Sequence, residues 1–513
     1  MDTIDGHLPY TTEAVRAFEA PSSQPGSVQL NDHAARAALQ FRKKVISPTL
    51  LSGIWRLVEF TLLLSVSAAI FVLYVGHDPN GSQVPYLLAS LTGAALGVAA
   101  IQLGHGYEIS FLRSHLRQLT RITLCWGAAL ALVAVGLFFA KLTDDVSRVW
   151  LASWFLFGSG VLGLARLLLR VKLRRWARNG IIERRAVIVG GGKGAEDLIR
   201  GLELEPESDI RICGIFDDRG DRRSPPIVAG YPKLGNISEL VEFTRLAQVD
   251  MLIVTLPITA EQRVLALLKQ LWVLPLDIRL SAHTAQLRFR PRSYSFIGEI
   301  PLLDVFDRPL ADWDWIAKRI FDLVFASLAI VALSPIMLAT AVAIKWDSRG
   351  PVIFRQKRHG FNNQIIEVLK FRSMFHEMSD PAAAKIVTRG DPRVTRVGRF
   401  IRKSSIDELP QLFNVIRGQL SLVGPRPHAV YAKSSGNEAF VEIVDGYFGR
   451  HKVKPGITGL AQIKGFRGEI DDPQKLKKRV ELDLHYIENW SVLLDLAILI
   501  RTPLSLFQTE HAY

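Results

Sequence analysis

The alternation of apolar and polar positions divides the chain into stretches of different character. In the first third, four apolar runs (Leu57–Val75, Val84–Leu103, Ile122–Ala140 and Val149–Leu169) each approach the ~20 residues that cross a bilayer as a helix. Basic residues bracket these runs unevenly. Arg36, Arg42, Lys43 and Lys44 precede the first run and the loop Gly76–Gln83 carries none, whereas Arg113, Arg117 and Arg121 occupy the second loop and Arg170, Lys172, Arg174, Arg175 and Arg178 follow the fourth run. Lysine and arginine collect on the cytosolic side, so residues 49–178 are expected to form four transmembrane helices with both ends cytosolic. Residues 1–48 are polar and mixed, hold no signal-peptide core, and read as a disordered cytosolic tail.

Near Arg184 the period changes. Ala186–Val189, Ile212–Phe216 and Met251–Thr255 read as buried strands separated by helical stretches, which predicts a Rossmann-like parallel sheet over 179–290. The first strand runs into Gly190-x-Gly192-x-x-Ala195, and Asp217 ends the second. Such glycines let a phosphate reach backbone N–H groups at a helix start. Gly190, Gly192 and Asp217 are therefore candidate nucleotide-binding residues. A sheet that serves only as a spacer or contact surface fits equally, because Ala195 stands where a third glycine is usual.

A linker (291–313) leads to a fifth apolar run, Leu323–Ile344, interrupted at Ser334-Pro335. Proline inside a helix removes a hydrogen bond and clashes with the preceding turn. Lys318 and Arg319 lie before this run, and Lys345, Arg349, Arg355, Lys357 and Arg358 after it. Positive charge on both sides predicts a re-entrant helix–break–helix over 316–345, with both ends cytosolic. The rest of the unit 314–513 is basic and rich in glycine and proline turns. It closes on an apolar stretch, Trp490–Phe507, that reads as an interfacial helix although it carries Asp495. The fold class is thus an α/β multidomain membrane protein.

Composition narrows the partners. The net charge of +14 calls for an anionic one. No compact nucleic-acid motif is visible, so lipid headgroups and phosphorylated substrates are expected and nucleic acid is not. The two cysteines, Cys125 and Cys213, have neither disulfide nor metal-ligand spacing.

The chemistry concentrates in Arg393–Asn414. Ser405 and Glu408 have capping-box spacing, predicting a helix start there, and Arg393, Arg396, Arg399, Arg402 and Lys403 crowd the preceding turns. A carboxylate pair, Asp407 and Glu408, among so many cations suits a phosphate and a divalent ion: one acid ligates Mg²⁺ and the other attacks phosphorus. The bland reading is that Glu408 only caps the helix and Asp407 only complements its dipole. Lys370 and Arg372 add cations upstream, and Gln419–Pro427 reads as a strand entering a rigid turn that aims Arg426.

Together, Lys370-Phe-Arg-Ser-Met, Ser405-Ile-Asp407-Glu408-Leu-Pro-Gln-Leu-Phe-Asn-Val, Ser421-Leu-Val-Gly-Pro-Arg426-Pro and Lys454-Pro-Gly-Ile-Thr-Gly-Leu-Ala-Gln resemble the bacterial sugar transferase family, the monotopic phosphoglycosyl transferases. The order of spanning helices, Rossmann-like module and transferase unit is similar to the large polyprenyl glycosylphosphotransferases. The resemblance implies transfer of hexose 1-phosphate, glucose by overall likeness, from a UDP-sugar to undecaprenyl phosphate at the bacterial inner membrane. It makes Asp407 the nucleophile, Glu408 the Mg²⁺ ligand, and Lys370, Arg402 and Arg426 substrate-binding residues; Arg372, a further cation of the same stretch, is expected to bind substrate with them. It also places the Ser334-Pro335 break in the re-entrant helix, allows a homodimer, and puts the whole chemical apparatus after Asp314. The rival reading is a membrane-tethered nucleotide-sugar dehydratase or epimerase. That class uses Tyr-x-x-x-Lys, and none of the ten tyrosines has a lysine four residues on.

Overall fold

The computed structural model describes residues 29–42, 47–76, 83–107, 116–143, 145–178, 183–205, 210–220, 224–257, 260–281, 294–297, 300–378, 391–428, 447–466 and 473–508, with positions 15 and 18. It divides into two compact units, Lys43–Arg184 with Pro206–Arg211 forming one and the remainder the other. The chain begins with helix α1 (Asp32–Gln40) and continues into four long helices: α2 (Pro48–Ile70, extended by a π-helical turn, Phe71–Val75), α3 (Gln83–Leu103), α4 (Leu116–Phe139) and α5 (Arg148–Arg178).

Helices α2 to α5 pack around Trp126, Trp150 and Trp154, all fully buried. Small residues admit these rings: a Cβ on Gly93 would lie 2.6 Å from Trp154, and one on Gly97 would lie 2.8 Å from Trp126. One charged cluster hides inside the apolar pattern. Glu59 is fully buried, pairs with Arg166 and accepts from the Tyr107 hydroxyl at 2.6 Å. Outside, Leu57, Leu73, Leu87, Phe138 and Leu156 stand exposed. Five described helices, these four and Asp312–Asp347, are long and apolar enough to cross a membrane. An exterior this apolar, whose exposed Thr61, Ser65, Thr92 and Ser159 hydroxyls bond back to their own helices, is consistent with a membrane-associated protein.

In the other unit, strands β1 (Arg184–Val189), β2 (Ile210–Phe216), β3 (Ile227–Val228), β4 (Tyr231–Gly235), β5 (Met251–Val254), β6 (Asp277–Ser281), β7 (Tyr294–Ile297) and β8 (Ile300–Phe306) form one sheet, ordered β3-β4-β2-β1-β5-β6-β8-β7. Its centre is parallel, as the near-continuous apolar runs of β1 and β5 require, and β8 pairs antiparallel with β6. Helices α6 (Lys193–Leu204), α7 (Ile237–Leu246) and α8 (Glu261–Leu271) cover it.

Part of the expected disordered tail proves ordered. Asn31 caps α1 through Ala34 N–H and donates to the Leu234 carbonyl at 2.6 Å, while Ala34, Ala38 and Phe41 are buried in the core of the α/β module. Two alanines on one face of a nine-residue helix and the phenylalanine that caps it suffice to dock it, and that signal is too short to stand out as an apolar run.

The long helix α9 (Asp312–Asp347) also departs from expectation. It runs unbroken through Pro335 rather than stopping there. Pro335 cannot bond the Val331 carbonyl four residues back; the Ser334 hydroxyl donates to that carbonyl instead, at 2.8 Å. Ser334-Pro335 therefore satisfies the acceptor that the proline orphans, and the helix continues. Both ends of α9 are tied to the same body: Lys318 Nζ donates to the Val423 carbonyl at 2.9 Å, and Asp347 accepts from Val397 N–H at 3.0 Å.

That body comprises the hairpin β9 (Ile353–His359) and β10 (Ile365–Phe371), helices α10 (Arg396–Lys403) and α11 (Gln411–Arg417), a short parallel pair β11 (Ser421–Val423) and β12 (Gly456–Thr458), and helices α12 (Leu460–Ile463), α13 (Pro473–Glu488) and α14 (Val492–Gln508). Asp495 explains its own place in an apolar stretch: it is fully buried and accepts from Lys318 at 2.6 Å, Tyr486 at 2.8 Å and Trp490 at 3.1 Å, joining α14 to the root of α9.

Candidate active site

Asp407 and Glu408 sit on a single 3₁₀ turn, Ile406–Glu408, between α10 and α11. Ser405 enters the turn with φ of 59° and makes no side-chain cap, so the expected capping box does not form. The physical reason is the partner set of Glu408. Its carboxylate is drawn away from the backbone by Arg426 at 2.7 Å and Lys370 at 3.2 Å. An ion pair with two cations outcompetes one backbone N–H.

Each cation is positioned by a rigid element. Lys370 projects from β10, which is locked to α11 by Asn414: its side chain accepts from Leu369 N–H at 2.9 Å and donates to the Glu367 carbonyl at 2.7 Å. Arg426 follows β11, where two glycine–proline turns interlock. Gly424 N–H donates to Thr458 and Gly456 N–H to Pro425, both at 2.9 Å. A Cβ on Gly456 would lie 2.1 Å from Gly424 N, so only glycine permits this approach. The strand and rigid turn predicted for Gln419–Pro427 are present, and they aim Arg426 at Glu408.

Arg358, expected only as one of the cations that follow the fifth apolar run and given no site role, completes the group. It lies on β9, two residues from Gln356, whose Oε1 it holds at 2.7 Å, and it also donates to the Pro427 carbonyl. Period-2 spacing puts Gln356 and Arg358 on one face of the hairpin, opposite Val368 and Ile366, and this was the available signal. Burial, and then Arg426 beside it, pull its pKa down to about 10. Arg402, at the end of α10, acts on Asp407 through space.

Asp407 differs from its neighbour. Among the described residues no hydrogen bond or ion pair ties its carboxylate. Burial pushes its pKa up and Glu408 adds to the rise, while Lys370, Arg402 and Arg426 pull it back. Burial likewise lowers Lys370 against the opposing pull of Glu408, and Glu408 raises Arg426. Four cations thus face two carboxylates, leaving a half-buried surplus of positive charge around one untethered acid. Such a site is completed by an anion.

Arg372 is not part of this group. It is buried at the far end of α9, donating to the Ser348 carbonyl at 2.8 Å and to the Arg349 carbonyl. A Cβ on Gly350 would strike its guanidinium at 2.4 Å. In the run Lys370-Phe-Arg372 the lysine and arginine share a strand face only up to the strand's end at Phe371, and Arg372 turns to cap the helix.

The second candidate group, in the α/β module, is closed on itself. Gly190 takes φ of 107° and Gly192 stands at the N-terminus of α6, as a phosphate loop would need. Yet Gly191 N–H donates to Asp217 at 2.7 Å, and Asp217 pairs with Arg219 at 2.7 Å. The adjoining cavity, bordered by Gly190, Asp217, Asp218, Arg263 and Gln270, is about 150 Å³, small against the ~300–1,000 Å³ of ligand pockets.

The site is a basic cluster around an acid pair, suited to a phosphate, on a membrane-associated α/β scaffold. Residues 313–509 match the bacterial sugar transferase family, and residues 102–282 match a family described as a CoA-binding domain. The chain is 33% identical to the UDP-glucose:undecaprenyl-phosphate glucose-1-phosphate transferase of Xanthomonas campestris pv. campestris, over 88% of this chain and 93% of that protein. It is 41% identical to the undecaprenyl-phosphate glucose phosphotransferase of Komagataeibacter xylinus, over 63% of this chain and 58% of the relative. With the corresponding Escherichia coli K12 transferase it shares 36% identity over 72% of this chain and 77% of the other. This chain belongs to the bacterial sugar transferase family.

Proposed function

We propose that this chain transfers glucose 1-phosphate from UDP-glucose to undecaprenyl phosphate, releasing UMP, as the first step of assembling a surface polysaccharide. The observation that carries the reading is the untethered carboxylate of Asp407, half-buried beside four cations, two of which already hold Glu408. The names of the relatives supply the substrates.

Asp407 attacks the β-phosphorus of the donor, forming a phosphorus–oxygen bond as the bond to UMP breaks. A sugar-phosphoryl aspartate results. An oxygen of the lipid phosphate then attacks the same phosphorus and frees Asp407. Arg358, Arg426, Lys370 and Arg402 stabilise charge on the transferring group. Among the described residues no three His, Cys, Asp or Glu side chains converge on a metal position. Magnesium needs only one or two protein carboxylates when substrate phosphates complete its shell, so Glu408 fits a substrate-borne ion. Glu408 would hold Mg²⁺, which when bound neutralises diphosphate oxygens. Lys370 and Arg426 then exchange Glu408 for phosphate oxygens.

Attachment of both ends of α9 to one body supports a re-entrant course for that helix, with α2 to α5 as four spans and the site at the cytosolic headgroup level. The decisive experiment supplies UDP-glucose and Mg²⁺ without lipid. About one equivalent of UMP should appear per enzyme, with a hexose phosphate on Asp407 by mass spectrometry. Release of UMP only when undecaprenyl phosphate is present, with no adduct, would replace two displacements by direct attack.

A further inference from the structure

The α/β module is not a bystander to the transferase site. Trp272, just after α8, and Phe306, at the end of β8, are both buried where the module meets the 3₁₀ turn Tyr447–Lys452. Lys452 Nζ lies 5.1 Å from the Trp272 ring centre and 5.4 Å from that of Phe306. Gly449 presses its backbone onto the same indole, where a Cβ would sit 2.7 Å from the ring. A flat aromatic floor, a glycine lying on it and a cation between two rings fix the turn in place.

The same turn grips the active site from behind. Arg450 is 1% exposed, the more notable for a guanidinium, and it donates to the Arg426 carbonyl at 3.0 Å. It is held by Asp483 and by His428 Nδ1, the latter at 2.7 Å, and Tyr447 bonds the same imidazole. Arg426 in turn holds Glu408 at 2.7 Å. A second bridge steadies the opposite wall. Asn362 and Gln364, at the tip of the β9–β10 hairpin, donate to the carbonyls of Thr244 and Arg245 on α7, each at 3.3 Å.

We propose that Trp272 is a positioning residue for the transfer reaction, acting through the Tyr447–Lys452 turn and Arg450 on Arg426. The module is then a buttress that sets where the Arg426 guanidinium stands. The inference rests on the transferase reading above only for its kinetic arm.

The test uses the full chain in membranes or nanodiscs. Trp272→Ala should lower kcat/KM for UDP-glucose by about ten- to a hundredfold, and Trp272→Phe should restore it to within about threefold, because a smaller ring still floors Gly449. In an Arg426→Lys background the same alanine change should add almost nothing, since both act on one group. Full activity of Trp272→Ala, or effects that multiply in the double variant, overturns the proposal. Amide hydrogen exchange gives an arm independent of turnover: Trp272→Ala should speed exchange at Arg426 and His428, and unchanged rates there overturn the proposal too. A wild-type protein inactive on UDP-glucose would count against the substrate reading while exchange still decides this one. If Trp272→Ala does not fold, Lys452→Met, which keeps the stem and removes the cation, carries the same expectations.

Discussion

Two adjacent acid pairs, Asp217-Asp218 at the end of β2 and Asp407-Glu408 on the 3₁₀ turn, are used in opposite ways. In the α/β module both acids are saturated. Asp217 takes Gly191 N–H and Arg219, and Asp218 takes Ile237 N–H at 2.8 Å, capping α7. In the transferase body Glu408 is saturated, but Asp407 is left without a partner among more cations than acids. The electrostatics diverge accordingly. Burial opposes ionisation of Asp217, but Arg219 and the Gly191 N–H outweigh it and hold its carboxyl below the ordinary range; burial drives Asp407 above that range. A carboxylate half-buried without a hydrogen-bond partner calls for an explanation other than stability. On the proposed mechanism the contrast separates a structural acid pair from a chemical one.

The largest effect that sharpens this contrast is at Asp407. Asp407→Asn keeps shape and removes the proposed anionic nucleophile, so turnover should fall about 10³-fold or more. Its stability should move the other way. A carboxyl whose folded pKa is raised stabilises the fold only below its unfolded value near 3.8 and loses that contribution as pH rises through the folded value. At neutral pH the ionised side chain is therefore a burden, and the amide should raise the thermal transition of the transferase body. Calorimetry at pH 7 beside a UMP-release assay checks both; an active variant, with deamidation excluded, removes Asp407 from the chemistry.

A smaller effect concerns pH. The acid limb of the kcat/KM profile should lie above the ordinary aspartate value of 3.8, because burial raises Asp407. Lys370 is the largest opposing influence on that acid, so Lys370→Met should move the limb to higher pH and lower the plateau by about tenfold to a hundredfold. An unmoved limb would mean that Asp407 does not need to be ionised for the step measured.

How far the sequence disclosed these arrangements depended on the range of the interactions. Apolar runs and strand alternation depend on neighbours a few positions away, and the helices and sheet they predict are present. The acid pair among arginines was visible for the same reason. Arg372 was grouped with Lys370 because both are basic and two apart, but β10 ends between them and sends the arginine to the Ser348 carbonyl. The Ser405–Glu408 spacing fitted a cap until two cations from distant segments claimed the glutamate. Arg450-His451-Lys452 has the look of a solvated basic run, yet all three are buried, because their partners come from α13, β8 and β9. Burial of α1 likewise depended on a surface that no local pattern reveals.

The smallest expected effect lies at Asp217, and it is the one most able to break the comparison. Asp217→Asn removes the anion that holds Arg219 and weakens the acceptor for Gly191 N–H, both in a mostly buried setting. If the pair is structural, the α/β module should lose about 1–3 kcal/mol, while transfer stays within about twofold of wild type. The pH dependence has a definite sign. A carboxyl with a lowered folded pKa stabilises above its unfolded value of 3.8 and loses that contribution as pH falls through the folded value, so the wild-type module should soften in acid and the asparagine variant less so. Hydrogen exchange at the Ala186–Val189 amides across pH 3 to 7 follows this without requiring turnover. The opposite outcome is equally specific. Stoichiometric binding of a nucleotide or of coenzyme A by the wild-type chain, lost in Asp217→Asn while the module stays folded, would mean that the Arg219 pair opens for a ligand, and that both acid pairs are chemical.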